Sequence, residues 1–453
     1  MKKRVRELVG LDELECEDDD SENDEILLFM VVASGVMANA CFEIPHLRSP
    51  NLHRNRLHVL ECMRSWPDDM FQRQFRLERV DFFWLLSVIA PALEKNEEMA
   101  RRSSGSAVNP EMKLAMTLRL LAGATYLEFV WYEVRVDHIW YYVKPVLVAI
   151  HQLVNNVKLP YTPSELDAVI SDWHEAMDKK YPGLDIFPGV AGAVDGLVVE
   201  RTKPKKRELE IPEAEGGGTR DFRSYLNRSA VWAWVAMTVV GAYGEFLMFE
   251  INWPGATNDS TAFTQSEGMN WLQWMDNVAE KGVIVGDDAF SSIHSRMLTP
   301  FTKRQLTYAR SVSDVQYKKM RAFNHLLSSQ RITSERAFGM LVRRFGCLWK
   351  PLEREEKNSR LMVIVCVKLH NICVERWKLN NPGNFRPGAP MNANVPEEVN
   401  TVDNDEVNER LQNQYRGAPR HAKQNPIRLA MAEHIYSKGI HMGSEDAFLV
   451  HFD

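Results

Sequence analysis

Three acidic residues stand where a water-soluble chain rarely places a charge. Asp195 ends the apolar run Val-Ala-Gly-Ala-Val (190–194) and precedes Gly196, and Asp287 follows a second run, Gly-Val-Ile-Val-Gly (282–286). Glu335 heads a helical stripe with Phe338, Val342 and Phe345, at spacings i, i+3, i+7 and i+10. Carboxylates at two strand ends and on the apolar face of a helix are costly when ionised and unpaired. A divalent cation offsets that cost, and a donor set made only of oxygen suits magnesium or manganese.

Each acid also has an ordinary reading. Asp195-Gly196 is a common turn pair, and its place after an apolar run predicts a position at the C-terminal edge of a strand. Asp287 and Asp288 are adjacent, so strand geometry aims only one of them inward. Asp287, directly after Gly286, is the inward choice, which leaves Asp288 to cap the next helix or face solvent. Glu335 has Arg331 as a helical neighbour on one side and Gly339 on the other, so only one ion-pair partner lies four residues away. Arg331, Arg336, Arg343 and Arg344 occupy other faces of the same helix and are suited to hold phosphates. A second basic cluster, with Lys203, Lys205, Lys206 and Arg207, lies within 201–207.

These local clusters matter because the formal net charge of −6 hides them. Residues 1–25 hold 11 acids and 4 bases, so the remainder of the chain carries a net charge of about +1. A chain of 453 residues with 45% hydrophobic and 26% charged residues is long enough for two or three domains with a sizeable core. Its six cysteines (16, 41, 62, 347, 366 and 373) form no Cys-x-x-Cys pair, which predicts reduced thiols and a cytosolic or nuclear setting. His370 and Cys373 lack a second ligand pair for zinc. The apolar stretch 26–42 follows acids rather than bases and is short for a membrane span, so it reads as a buried helix.

The elements that must position the acids divide the chain. Residues 1–25 read as an acidic disordered tail, and 26–180 as a helical region. Within the latter, 112–121, 126–134 and a third run begun by Asp137 as N-cap make a helix-turn-helix-like segment over about 112–150. Its third run is rich in aromatics and poor in base-reading side chains, so a plain packing module fits it as well as a groove reader. Strand-length apolar runs follow at 190–194, 231–240, 246–253 and 283–285, with helices over about 270–280, 317–345 and 358–377. That order predicts a mixed α/β domain over 186–377. The remaining 378–453 reads as a largely irregular tail.

Seven short motifs then carry a resemblance. Gly-Ala-Val-Asp-Gly (192–196), Trp-Pro-Gly-Ala-Thr-Asn-Asp-Ser (253–260), Gly-Asp-Asp-Ala-Phe (286–290) and Leu-Thr-Pro-Phe (298–301) resemble successive motifs of the PIF/Harbinger transposase family. So do Phe-Asn-His (323–325), Ser-Glu-Arg-Ala-Phe-Gly (334–339) and Leu-His-Asn-Ile-Cys (369–373), and the resemblance covers roughly 75–376. The 47 residues between Asp287 and Glu335 are similar to that family's spacing. Two departures are Asn258, where the family usually has His, and Ala289-Phe290, where Gly/Ala-Tyr is usual.

The resemblance implies an α/β, RNase H-like mixed-sheet catalytic core preceded by an all-helical region, with Asp195, Asp287 and Glu335 as a DDE triad and Asp259 as an auxiliary acid. It implies Mg2+ or Mn2+, two ions per site, and a nuclear enzyme, cytoplasmic before import, that cuts DNA phosphodiesters and transfers the 3′-hydroxyl end. Expected partners are DNA, a separate Myb-like DNA-binding protein and a second copy of the chain, without a membrane. The alternative is a domesticated, catalytically silent descendant that binds DNA or recruits partners.

Overall fold

The computed structural model describes residues 56–93, 108–183, 185–210, 217–279, 281–381, 426–438, 440–442 and 448–450. The stretches 1–25 and 26–42 lie outside them. Among the described residues six α-helices come first: α1 (Arg56–Ser65), α2 (Asp68–Phe75), α3 (Arg79–Leu93), α4 (Pro110–Leu121), α5 (Ile139–Leu153) and α6 (Pro163–Lys180). No described helix is long and apolar enough to cross a membrane.

α4 begins where the Asn109 side chain accepts the Met112 N–H and Pro110 takes the first turn, where no donor is missed. Nearly every side chain of α4 is buried, and its buried charges are partnered, Glu111 by Arg64 and Lys113 by the Leu93 carbonyl. Two details differ from the sequence reading. Tyr126–Tyr132 is a 3-10 segment rather than an α-helix. Asp137 does not cap α5: its carboxylate pairs with Arg135 at 2.8 Å, and His138 takes the cap position. α5 turns Ile139, Val143, Val146, Leu147 and Ile150 inward, and Lys368 donates to the carbonyls of His151 and Val154 at its C-terminal end.

Five strands form a mixed sheet: β1 (Val190–Glu200), β2 (Ala233–Val240), β3 (Phe246–Pro254), β4 (Val283–Val285) and β5 (Met297–Leu298). Their order is β3-β2-β1-β4-β5, antiparallel from β1 through β3 and parallel from β1 through β5. Residues of α6 and of α11 (Asp314–Arg344) pack on one face with Ala193, Val285 and Leu298. On the other face, α8 (Asp259–Thr264) and α9 (Glu267–Val278) meet Val194, Val235 and Ile284. The short helices α7 (Lys206–Leu209) and α10 (Lys303–Val312) and the long α12 (Glu356–Asn380) complete the domain. This is an RNase H-like α/β core with a helical region before it.

The stretch 378–453, predicted to be largely irregular, contains α13 (Pro426–Ser437) and the short pair β6 (Ile440–Met442) and β7 (Phe448–Val450), while 382–425 lies outside the described residues. α13 buries Met431, Ala432 and Ile435 in the same cluster as Phe323 and Leu326 of α11. Polar composition upstream obscured this apolar stripe, which resumes only at Ile427.

The Leu-His-Asn-Ile-Cys motif lies on α12 and clamps the β2–β3 hairpin. Asn371 supplies Oδ1 to the Phe246 N–H at 2.9 Å and donates Nδ2 to the Phe246 and Asn156 carbonyls at 2.8 Å each. Its amide thereby acts as a strand partner for Phe246. His370 lies 2.9 Å from the Gly244 carbonyl through Nε2 and 2.8 Å from Arg344 through Nδ1. Arginine can only donate, so Nδ1 accepts and Nε2–H donates. Burial, reinforced by Arg344, lowers the imidazole to about 3 and keeps it neutral.

Candidate active site

The parallel half of the sheet places two of the acids. β4 pairs with β1 as far as Ala193 opposite Val285, so two residues further the same register brings Asp195 beside Asp287. β4 has ended by then, while β1 continues to Glu200 paired only with β2. Asp195 is therefore in the middle of its strand, opposite Thr238, rather than at a strand end as its sequence context predicted. What ends there is the neighbouring strand, and the notch it leaves opens next to the carboxylate.

Asp195 faces α11. Its Oδ1 accepts the Gly196 N–H at 2.9 Å, and Oδ2 lies 3.2 Å from the Ser334 hydroxyl. Gly196 belongs to the opposite face by strand alternation. A side chain there would collide with the Asp259 carboxylate, so glycine lets Asp259, the first residue of α8, approach the same notch from the far side of the sheet. Asp287 leaves β4 and accepts the Ala289 N–H through Oδ1 at 2.9 Å, capping the 3-10 turn Asp288–Phe290. The cap predicted for Asp288 is thus made by Asp287, and Asp288 is exposed.

The electrostatics of this corner are unfavourable. Asp195 is pushed up to about 6, first by burial and then by repulsion from Asp287, with Gly196 N–H and Arg331 opposing. Asp259 is raised by burial and by Asp287, against the attraction of Arg228. Three carboxylates repelling one another across the end of a strand are chemically fit for a divalent cation, which favours oxygen donors and relieves that repulsion. Among the described residues, however, no three His, Cys, Asp or Glu side chains close on a common ion position.

Glu335 does not join the aspartates. The face of α11 turned to the core is Ser334, Ala337 and Leu341, one residue out of step with the predicted stripe, and Glu335 is exposed. It sits about 100° around the helix from the Ser334 that touches Asp195. Sequence reasoning missed Ser334, although the spacing 334, 337, 341 is as helical as the one chosen. The predicted stripe holds only at its far end, where Phe345, just past the last turn, is fully buried beside Ala337 and Leu341, while Phe338 is half-buried.

The predicted DNA-contacting cations divide. Lys203, Lys205, Lys206, Arg336 and Arg343 are exposed and Arg331 is half-buried near Asp195. Arg207 is ion-paired with Glu355, and Arg344 is turned inward onto His370. Arg207 remains exposed in that pair, whereas Arg344 is half-buried.

Residues 194–371 match the family described as DDE superfamily endonuclease. The chain is 24% identical over 204 residues to the candidate nuclease HARBI1 of Rattus norvegicus, of Homo sapiens and of Bos taurus, covering 44% of this chain and 50% of each relative. The chain thus spans about half the length of the curated relatives it matches. No solved structure matches it.

Proposed function

We propose that the chain, whose residues 194–371 match the DDE superfamily endonuclease family, is a divalent-metal-dependent nuclear nuclease and strand transferase acting on DNA. The observation that carries this reading is the corner at the end of β4, where Asp195, Asp287 and Asp259 repel one another and Arg331, Arg228 and the Gly196 N–H offset that only in part. Asp195 and Asp287, with Asp259 beside them and Glu335 from the surface of α11, are the residues that would hold Mg2+ or Mn2+. Such ions, when bound, neutralise the carboxylates and polarise a scissile phosphodiester.

The protein's own contribution is positional. β1 fixes Asp195 between Gly196 N–H and Ser334, so its carboxylate cannot swing away from the notch. Arg331, Arg336 and Arg343 on α11, together with Lys203, Lys205 and Lys206, would supply positive charge to a phosphate backbone, a role that their exposure or, for Arg331, its nearness to Asp195 supports. The inward packing of α5 favours leaving sequence recognition to a separate protein of the Myb-like type.

Incubation of the full chain with supercoiled plasmid and Mg2+ or Mn2+ tests the reading. Nicking that leaves a 3′-hydroxyl and disappears in Asp195→Asn, Asp287→Asn and Glu335→Gln is the expected result. The exposed position of Glu335 favours one rival, a DNA-binding protein without catalysis. DNA that binds yet stays intact with either cation would establish that rival instead.

A further inference from the structure

The connection between β1 and β2 sets aromatic rings beside one of the lysines assigned to phosphate, and the proposed reaction has no use for the rings. Lys203 Nζ stands 5.3 Å from the ring centre of Phe222 and 5.9 Å from that of Trp232. The two rings are 5.9 Å apart, tilted by 42°, and the Arg223 guanidinium lies 5.9 Å from Phe222. Lys203 and Arg223 are exposed, and Phe222 keeps 39% of its surface open.

This surface has a rigid foundation. Beneath it Arg201, buried, pairs with Glu208 at 2.9 Å and Glu356 at 3.4 Å and lies over the rings of Trp234 and Tyr225. The Tyr225 hydroxyl donates to Glu356 at 3.3 Å, and Asp221 accepts the Arg223 N–H to start the turn Phe222–Tyr225. The surface also adjoins the acidic corner. Ala256 N–H donates to the Ser224 carbonyl at 2.8 Å. A side chain at Gly255 would come within 2.7 Å of the Tyr225 carbonyl and 2.9 Å of that of Ala233. The Trp-Pro-Gly turn therefore lies flat on this connection, and three residues after Ala256 comes Asp259.

We propose that Lys203, Phe222, Arg223 and Trp232 form a platform for unpaired DNA beside the acidic corner, with phosphates at the two cations and an unstacked base on Phe222. The proposal deepens the reading of the chain as a protein acting on DNA and rests on it. Duplex bases hide their faces in the stack, so an exposed aromatic between cations recognises DNA whose strands have separated. An acidic peptide would engage the cations but gain nothing specific from the ring.

Binding of the full chain to a fluorescent oligothymidylate of about 30 nucleotides, and to a blunt duplex of the same length, tests this by anisotropy. Phe222→Ala is expected to weaken oligothymidylate binding by about 5- to 100-fold and leave duplex binding within about twofold. Phe222→Tyr keeps the ring and should restore affinity, while Lys203→Gln and Arg223→Gln should each flatten the salt dependence. Unchanged oligothymidylate binding in Phe222→Ala, an equal loss on duplex, or displacement by polyglutamate equal in wild type and Phe222→Ala would overturn the platform. Failure of the platform leaves any metal-dependent nicking by wild type intact. Conversely, absent nicking with a Phe222-dependent oligothymidylate affinity overturns the nuclease reading and keeps the platform.

Discussion

The acidic corner and the clamp on α12 are both polar clusters built from short motifs, yet they are opposites in energy. Every polar atom of the Asn371 amide finds a partner, and both ring nitrogens of His370 are engaged. At the corner, Asp195 and Asp259 are raised by burial and by Asp287, and the Gly196 N–H, Arg331 and Arg228 oppose without cancelling the rise. Satisfied polar burial holds a scaffold together, whereas burial that leaves like charges facing one another marks a place prepared for something else. The two motifs are equally visible in sequence and become distinguishable only through their surroundings.

The largest expected effect separates them by activity. Asp195→Asn should lower metal-dependent nicking by about a thousandfold or more, equivalent to roughly 4 kcal/mol of barrier, with the circular dichroism of the fold unchanged. Asn371→Ala should do the reverse. It strands the Phe246 N–H and carbonyl and the Asn156 carbonyl, a loss of about 2–4 kcal/mol in urea unfolding, while nicking per folded molecule stays near wild type. An Asn371→Ala protein that folds stably but cannot cut would erase the contrast.

A second test uses stability alone. Asp195 is raised from 3.8 to about 6, so the native state holds its proton more tightly than the unfolded chain does. Below about pH 4 the carboxyl is protonated in both states and contributes no penalty. Between about pH 4 and 6 ionisation increasingly disfavours the native state, and above that the penalty reaches roughly 2–3 kcal/mol. Asp195→Asn should therefore stabilise the metal-free protein by about that amount at pH 7 and by almost nothing at pH 4. Added Mg2+ should raise the melting temperature of wild type at pH 7 more than that of Asp195→Asn. A variant less stable than wild type at pH 7 would mean that the Ser334 and Gly196 bonds outweigh the repulsion.

Much of the fold was legible because its strands are apolar runs bounded by turn residues, and β2, β3 and β4 fall within a few residues of the expected ranges. What sequence could not supply was register. Asp195 appeared to end a strand because the apolar run stops there, but β1 continues through Val199, with β2 supplying the hydrogen bonds. Glu335 appeared to head a buried stripe because two helical stripes one residue apart are both apolar, and only packing against the sheet selects 334, 337 and 341. The Ser334–Asp195 contact and the approach of Asp259 to Gly196 span more than 60 residues of chain, which local spacing does not encode. The inward turn of Arg344 was equally hidden, since its partner His370 lies on another helix.

That arginine gives the smallest and most discriminating test. Arg343 and Arg344 are adjacent on α11 and were indistinguishable as phosphate contacts in the sequence. Arg343 is exposed, whereas Arg344 donates to His370 Nδ1 and thereby fixes the tautomer that donates to Gly244. Arg343→Gln should weaken duplex binding a few-fold and reduce the slope of affinity against salt by about one ion, leaving stability within about 0.5 kcal/mol. Arg344→Gln should spare the salt slope and destabilise the fold by about 1–2 kcal/mol, because glutamine is a poor substitute for the charge-assisted donor. If both substitutions lower the salt slope alike, Arg344 reaches DNA as well, and the clamp is then joined to the DNA-binding surface instead of standing apart from it.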